Sequence, residues 1–134
     1  MRITCFGSGS DTGLYAEMEQ LGCLLQADGY QATIVTGGGR GTGMEAAPKG
    51  ACNKNPKSER IGFLYKEPPD GNQYLTQKFD CRTVAREICS KHTLEKFNEP
   101  LLAYCVRLAG LLSSDAFVIA IDGGIGTCWN LSRS

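Results

Sequence analysis

Residues Asp115 to Thr127 read DAFVIAIDGGIGT, an apolar run that passes directly into a glycine-rich loop ending in threonine. A buried parallel strand whose carboxyl end opens onto a phosphate-binding loop has this layout. Gly123, Gly124 and Gly126 let backbone N–H groups approach an anion with no Cβ in the way, and Thr127 adds a hydroxyl donor where a helix would start. Two further junctions share the pattern. Ala32-Thr33-Ile34-Val35-Thr36 leads into Gly37, Gly38 and Gly39 and then Gly41 and Gly43, while Ile3-Thr4-Cys5-Phe6 leads into Gly7, Ser8 and Gly9. Each alone is also an ordinary tight turn. Three in one small chain point to a parallel α/β sheet, because such a sheet ends all its strands on one side, where ligands bind.

The 134 residues suit a single domain spanning positions 1–134, long enough to bury a core and short for a doubly wound enzyme. Fourteen basic and fourteen acidic side chains are scattered along the chain and cancel, so charge favours neither a nucleic-acid partner nor an anionic membrane. Met1-Arg2 runs straight into the first strand, with no apolar stretch of signal-peptide or membrane-spanning length, and a cytoplasmic protein is expected. The seven cysteines are odd in number and form no Cys-x-x-Cys, and Cys5, Cys23 and Cys105 lie in apolar periodic segments; reduced, mostly buried thiols are the better reading. His92 is the only histidine, so no zinc site is expected, nor any other resident cofactor.

Alternation of elements follows the same logic. Leu14, Met18, Leu21 and Leu25 recur at helical spacing after the first strand, with Gly29 placed to end the helix. A helix from about Met44 to Ala51 follows the second glycine loop, and Pro48 inside it predicts a short or kinked element. Ile61 to Tyr65 reads as the third strand, and Glu67 to Asp80 as a turn-rich loop. Thr83 to Ile88 fits strand or helix equally. From Pro100 onward Leu101, Cys105, Leu108 and Leu112 share one face of a helix that ends near Ser113-Ser114 and feeds the fourth strand. The expected fold is a Rossmann-like three-layer α/β sandwich, its mostly parallel sheet in the order 3-2-1-4.

The segments GGGRGTGMEAAPKGA, Gly37 to Ala51, and DGGIGTCWN, Asp122 to Asn130, resemble the paired signatures of the "lonely guy" family of cytokinin-activating phosphoribohydrolases, which also includes molybdenum-cofactor carrier proteins. FGSGS after the first strand, Tyr15, Leu21-Gly22 and Gly29 fall where that family has like residues, and the likeness is weakest between Glu67 and Pro100. The resemblance implies that Gly123, Gly124, Gly126 and Thr127 hold the phosphate of a nucleoside 5′-monophosphate. It implies that Gly7, Ser8, Gly37, Gly38, Gly39, Gly43 and Met44 complete the crevice. Arg107 falls on the helix that carries the family's catalytic arginine, where a guanidinium can hold phosphate bidentately.

Two departures bear on chemistry. Asp122 stands where the family has proline, and Asn130 where it has the catalytic glutamate. Cleaving an N-glycosidic bond builds positive charge on the ribose, which a carboxylate stabilises and an amide does not. Asp122 is the substitute carboxylate at the loop, and Glu45, beside Met44, is another near the crevice. Two functions follow: a binding protein for a nucleotide or another phosphorylated ligand, or an active phosphoribohydrolase releasing free base and ribose 5-phosphate. A dinucleotide oxidoreductase lacks its acidic residue, since Thr36 and Gly37 stand at the end of strand two. The family continues beyond this motif, so a fold trimmed at Ser134, or a piece of a longer one, is expected. With it comes a homodimer covering either the edge of strand four or the helix face of Leu101, Leu108 and Leu112.

Overall fold

The computed structural model describes residues 1–7, 13–27, 29–65, 71–92 and 98–119. The chain runs β1 (Arg2–Phe6), α1 (Tyr15–Leu24), β2 (Thr33–Thr36), α2 (Gly43–Lys54), β3 (Arg60–Leu64), β4 (Gln77–Asp80), α3 (Cys81–Lys91), α4 (Glu99–Leu112) and β5 (Ala116–Ile119). Every strand pair is parallel, in the order β4-β3-β2-β1-β5. The four strands expected from sequence stand in the expected 3-2-1-4 order, and β4 extends the sheet beyond it. The sequence places this segment in a loop because QKFD is mostly exposed at the edge and carries no apolar run; in the sheet Phe79 stacks on Phe63 at 5.0 Å.

Side-chain alternation divides the core into two layers. On one face Ile3, Cys5, Ile34, Ala116 and Val118 meet Met18 of α1 and Ala46, Ala47 and Ala51 of α2. On the other Phe6, Val35, Ile61 and Ile119 meet Leu111 of α4. The register Ile3 opposite Ile34 and Ala116 puts like-facing residues side by side across the three central strands. Helices α1 and α2 touch backbone to backbone, since a Cβ on Gly22 would strike the Ala47 carbonyl and one on Gly50 the Glu19 carbonyl. The Thr4 hydroxyl lies 2.6 Å from both the Leu111 carbonyl and the Ser114 hydroxyl. With one proton to give, it donates to the carbonyl, accepts from Ser114, and fixes the end of α4 over β1.

Pro48 does not shorten α2, which runs the 12 residues Gly43–Lys54. A proline in a helix interior orphans the carbonyl four residues earlier, here that of Met44. The buried Thr36 hydroxyl donates to this carbonyl at 3.0 Å and so takes the place of the missing amide. The ambiguous segment Thr83 to Ile88 is helical. Asp80 caps α3 by accepting from the amides of Arg82 and Thr83, both at 3.0 Å, and burial falls on Cys81 and Ala85 at helical spacing. Arg82 and Arg86 then reach Glu99 at 3.4 and 3.2 Å, tying α3 to the start of α4.

The stripe Leu101, Cys105, Leu108 and Leu112 turns away from the sheet: Leu101 and Leu112 are 55 and 43% exposed, and α4 buries Ala103 and Leu111 instead. Cys105 is therefore exposed, which corrects its reading as a core thiol, whereas Cys5 is buried. All six described cysteines are free, and no helix among the described residues is long and apolar enough to cross a membrane.

Burial pushes the Cys5 thiol up to about 12, so it stays protonated and unreactive near neutral pH. An aromatic disulfide reagent at pH 8 is expected to modify Cys105 and spare Cys5 in the native protein, and mass mapping of the adducts checks this. Thr36→Val leaves the Met44 carbonyl without its donor and is expected to cost about 1–3 kcal/mol in denaturant unfolding. Adding Pro48→Ala restores an amide to that carbonyl, so the double variant should recover most of the loss; strictly additive effects would show that Thr36 does not serve it.

Candidate functional site

Parallel pairing brings the carboxyl ends of β1, β2, β3 and β4 to one edge, where Gly7, Gly37, Tyr65 and Cys81 follow them. Gly7 backs directly onto α2: a Cβ there would press on the Gly43 carbonyl and close on the Met44 amide. Gly7 and the Gly37–Gly43 loop therefore meet at the amino terminus of α2, where the helix dipole favours an anion. Leu14, which leads into α1 beside the same edge, sits in the left-handed region at φ 57°, a conformation that costs a branched residue energy.

The Gly37–Gly43 loop is held from three directions. Glu45 accepts from the Gly41 amide through Oε1 at 3.2 Å and from the Tyr15 hydroxyl through Oε2 at 2.6 Å. Burial first, then this hydrogen bond and the charge of Glu45, hold the Tyr15 phenol above its ordinary range, so it remains a donor. Asn72, fully buried, donates its backbone amide to Gly38 at 3.0 Å and its side-chain amide to the Gly39 carbonyl at 3.3 Å, while its side-chain oxygen accepts from Tyr74 at 3.0 Å. A β-bridge between Gly39 and Gly71 runs alongside. The Thr42 hydroxyl, at the cap of α2, is buried with no hydrogen-bond partner among the described residues.

Arg107 supplies the third hold. It crosses from α4 to the edge, where Nε donates to the Phe63 carbonyl at 2.8 Å and Nη2 to the Gly37 carbonyl at 3.3 Å, with Met44 Sδ at 3.7 Å. A Cβ on Gly37 would collide with this guanidinium. Burial lowers the Arg107 pKa, while the nearby Cys81 and Tyr104 act to raise it; the group stays charged at neutral pH. Among the described residues no carboxylate is paired with it. A half-buried cation held, among the described residues, by neutral carbonyls and a thioether is incomplete electrostatically, and an anion at this edge would complete it.

Of the residues read from sequence, the structure therefore brings together Gly7, Gly37, Gly38, Gly39, Gly43, Met44 and Arg107. Ser8, Asp122, Gly123, Gly124, Gly126, Thr127 and Asn130 lie outside the described residues. Glu45 is engaged by Gly41 and Tyr15, a strap on the loop. Sequence reasoning missed Asn72, Thr36, Cys81 and the tyrosines at the same edge. Asn72 stands in a Gly-Asn turn pattern, and nothing in such a pattern tells a buried asparagine from an exposed one. Among the described residues no cluster of His, Cys, Asp and Glu is arranged to hold a metal ion.

A solved structure is similar to this one: the molybdenum cofactor binding protein from the phototrophic bacterium Rippkaea orientalis, at TM-score 0.50 and 16% identity, covering 98% of this chain and 82% of that one. The fold is shared. No protein-family model matches the chain, and no curated protein matches it.

Because the buried Asn72 side chain closes two hydrogen bonds, to the Gly39 carbonyl and the Tyr74 amide, Asn72→Ala is expected to cost about 1–3 kcal/mol of stability. Asn72→Asp keeps the acceptor for Tyr74 but loses the donor to Gly39 and buries a charge, so it should cost more. Chemical denaturation of the two variants checks the order.

Proposed function

We propose that this protein binds a nucleotide or another phosphorylated small molecule at the carboxyl edge of its sheet, and acts as a carrier or sensor for it. Arg107 carries the reading: a half-buried guanidinium at the strand ends, held by the carbonyls of Phe63 and Gly37 and paired with no carboxylate among the described residues. Phosphate recognition asks for such a preplaced cation beside a helix amino terminus and loops whose glycines admit close approach. The sequence GGIGT at Gly123 to Thr127 supplies the loop type that would cradle the phosphate, and α2 the helix end. The similar protein of Rippkaea orientalis is a molybdenum cofactor binding protein, which supports a small-molecule ligand for this fold.

Binding is favoured over turnover by the placement of carboxylates. Glu45 spends both oxygens on Gly41 and Tyr15, and position 130 holds an amide, so neither is a ready general base. The second reading, a nucleoside 5′-monophosphate phosphoribohydrolase, is favoured by Arg107 itself, whose charge would steady the sugar phosphate, with Asp122 as its carboxylate. Self-association belongs to the same proposal, through the outward stripe of α4 carrying Leu101, Leu108 and Leu112, as does a cytoplasmic setting.

Calorimetric titration with AMP, GMP and ribose 5-phosphate is expected to show saturable binding, weakened at least tenfold by Arg107→Ala. Chromatography of the same mixtures should show little free base. Electrostatic stabilisation of the kind a lost carboxylate provides is worth about 3–4 kcal/mol, so Asn130→Glu should raise base release by roughly a hundredfold to a thousandfold. Rapid release by the unaltered protein would establish the hydrolase reading instead, and absence of all binding would end both.

A further inference from the structure

Tyr65 and Tyr104 form an aromatic pair at the edge that Arg107 occupies, with ring centroids 4.5 Å apart and planes inclined by 40°. Tyr65 follows the last residue of β3, and Tyr104 stands one turn before Arg107 on α4. At 100° per residue, Tyr104 lies only about 20° around the helix from Leu111 and about 60° from Arg107, hence on the sheet-facing side. It flanks the outward stripe, about 40° around the helix from Leu108 and about 60° from Leu101. Leu111 on that side is 3% exposed, yet Tyr104 is 56% exposed. The difference is height. Seven residues at 1.5 Å each lift Tyr104 about 10 Å along α4 from Leu111, beyond the strand ends. Its ring thus overhangs the carboxyl edge, braced by Tyr65.

We propose that the Tyr65–Tyr104 pair is the subsite for a planar heteroaromatic ring, the base or base-like portion of the phosphorylated ligand. The inference rests on the phosphate-binding reading and adds what the rest of the ligand must be. An aromatic ring presents a face on which any planar heterocycle stacks without regard to its hydrogen-bonding pattern. From Gly7 after β1 to Tyr65 after β3 is two strand spacings, about 10 Å. That span is about the reach of an extended mononucleotide from phosphate to base, so a ligand with its phosphate beside Gly7 and the amino end of α2 brings its ring to Tyr104. Arg107 lies between, at the Gly37 and Phe63 carbonyls, where the anionic half of the ligand passes.

The experiment compares AMP and GMP with ribose 5-phosphate, which carries the phosphate and sugar without a ring, on the intact chain and on Tyr104→Ala and Tyr104→Phe. An exposed ring is removable without opening the core, and circular dichroism and a melting curve confirm that each variant folds. The expected result is that Tyr104→Ala weakens AMP and GMP by about ten- to a hundredfold, the range that alanine replacement of a stacking aromatic gives, while ribose 5-phosphate is unaffected and Tyr104→Phe retains affinity. Equal loss for all three ligands would show that Tyr104 acts through Arg107 and the loop, and would overturn the subsite. So would unchanged affinities, including the case in which Tyr104→Ala alters only the sedimentation of the protein and so marks a contact between copies. If the unaltered chain binds ribose 5-phosphate as tightly as AMP and GMP, the ring subsite falls and the phosphate site stands; if it binds none of the three, both fall.

Discussion

The Arg107 guanidinium is the contact on which the arrangement of the carboxyl edge depends. Two of its N–H groups reach carbonyls that belong to adjacent strands, Phe63 in β3 and Gly37 just after β2, and its tip touches Met44 in the first turn of α2. One side chain from α4 thereby spans the sheet edge and fastens helices from opposite layers to each other. The anchoring requires a glycine at position 37, because a side chain there would occupy the same space. It also requires that the cation be taken out of water, and neutral carbonyls compensate this only in part. The charge left over is the reason the edge is suited to an anion.

Around that contact the loop Gly37–Gly43 is shaped by groups from outside itself. Glu45 and Tyr15 hold its amide at Gly41, Asn72 holds its carbonyls at Gly38 and Gly39, and Thr36 holds the turn of α2 that follows. A glycine-rich loop left to itself has more conformational freedom than any other sequence, and a preformed site needs that freedom removed before ligand arrives. Here four side chains remove it. The same fixing takes Glu45 out of contention as a catalytic base, so the device that preforms the loop also tilts the site toward binding.

The central architecture was legible because parallel βα units write themselves strongly into sequence. Strands β1, β2, β3 and β5 are apolar runs ending in glycines or turns, and their order followed from the Rossmann-like pattern. Strand β4 was not legible, since an exposed edge strand buries too little to need an apolar pattern. Pro48 removes an amide and predicts a short or kinked α2; the helix runs 12 residues, because a threonine 12 positions before Pro48 replaces the lost hydrogen bond. The stripe Leu101, Cys105, Leu108 and Leu112 had the right period for a core face and lies on the outside, since period identifies a face without saying which way it points.

The sequence by itself determined the alternation of strands and helices, the glycine loops at the strand ends, and the residue types Gly7, Gly37 to Gly39, Gly43, Met44 and Arg107 that gather there. Those are local properties, set by side-chain period, by the space a missing Cβ leaves, and by the preference of anions for helix starts. Only the tertiary structure decided that Arg107 points inward between two strands, that Asn72 clasps the glycine loop, and that Tyr65 and Tyr104 meet above the edge. These contacts join residues separated by 70, 33 and 39 positions. No local propensity relates such distant positions; the parallel sheet does, by carrying the end of every strand to the same side.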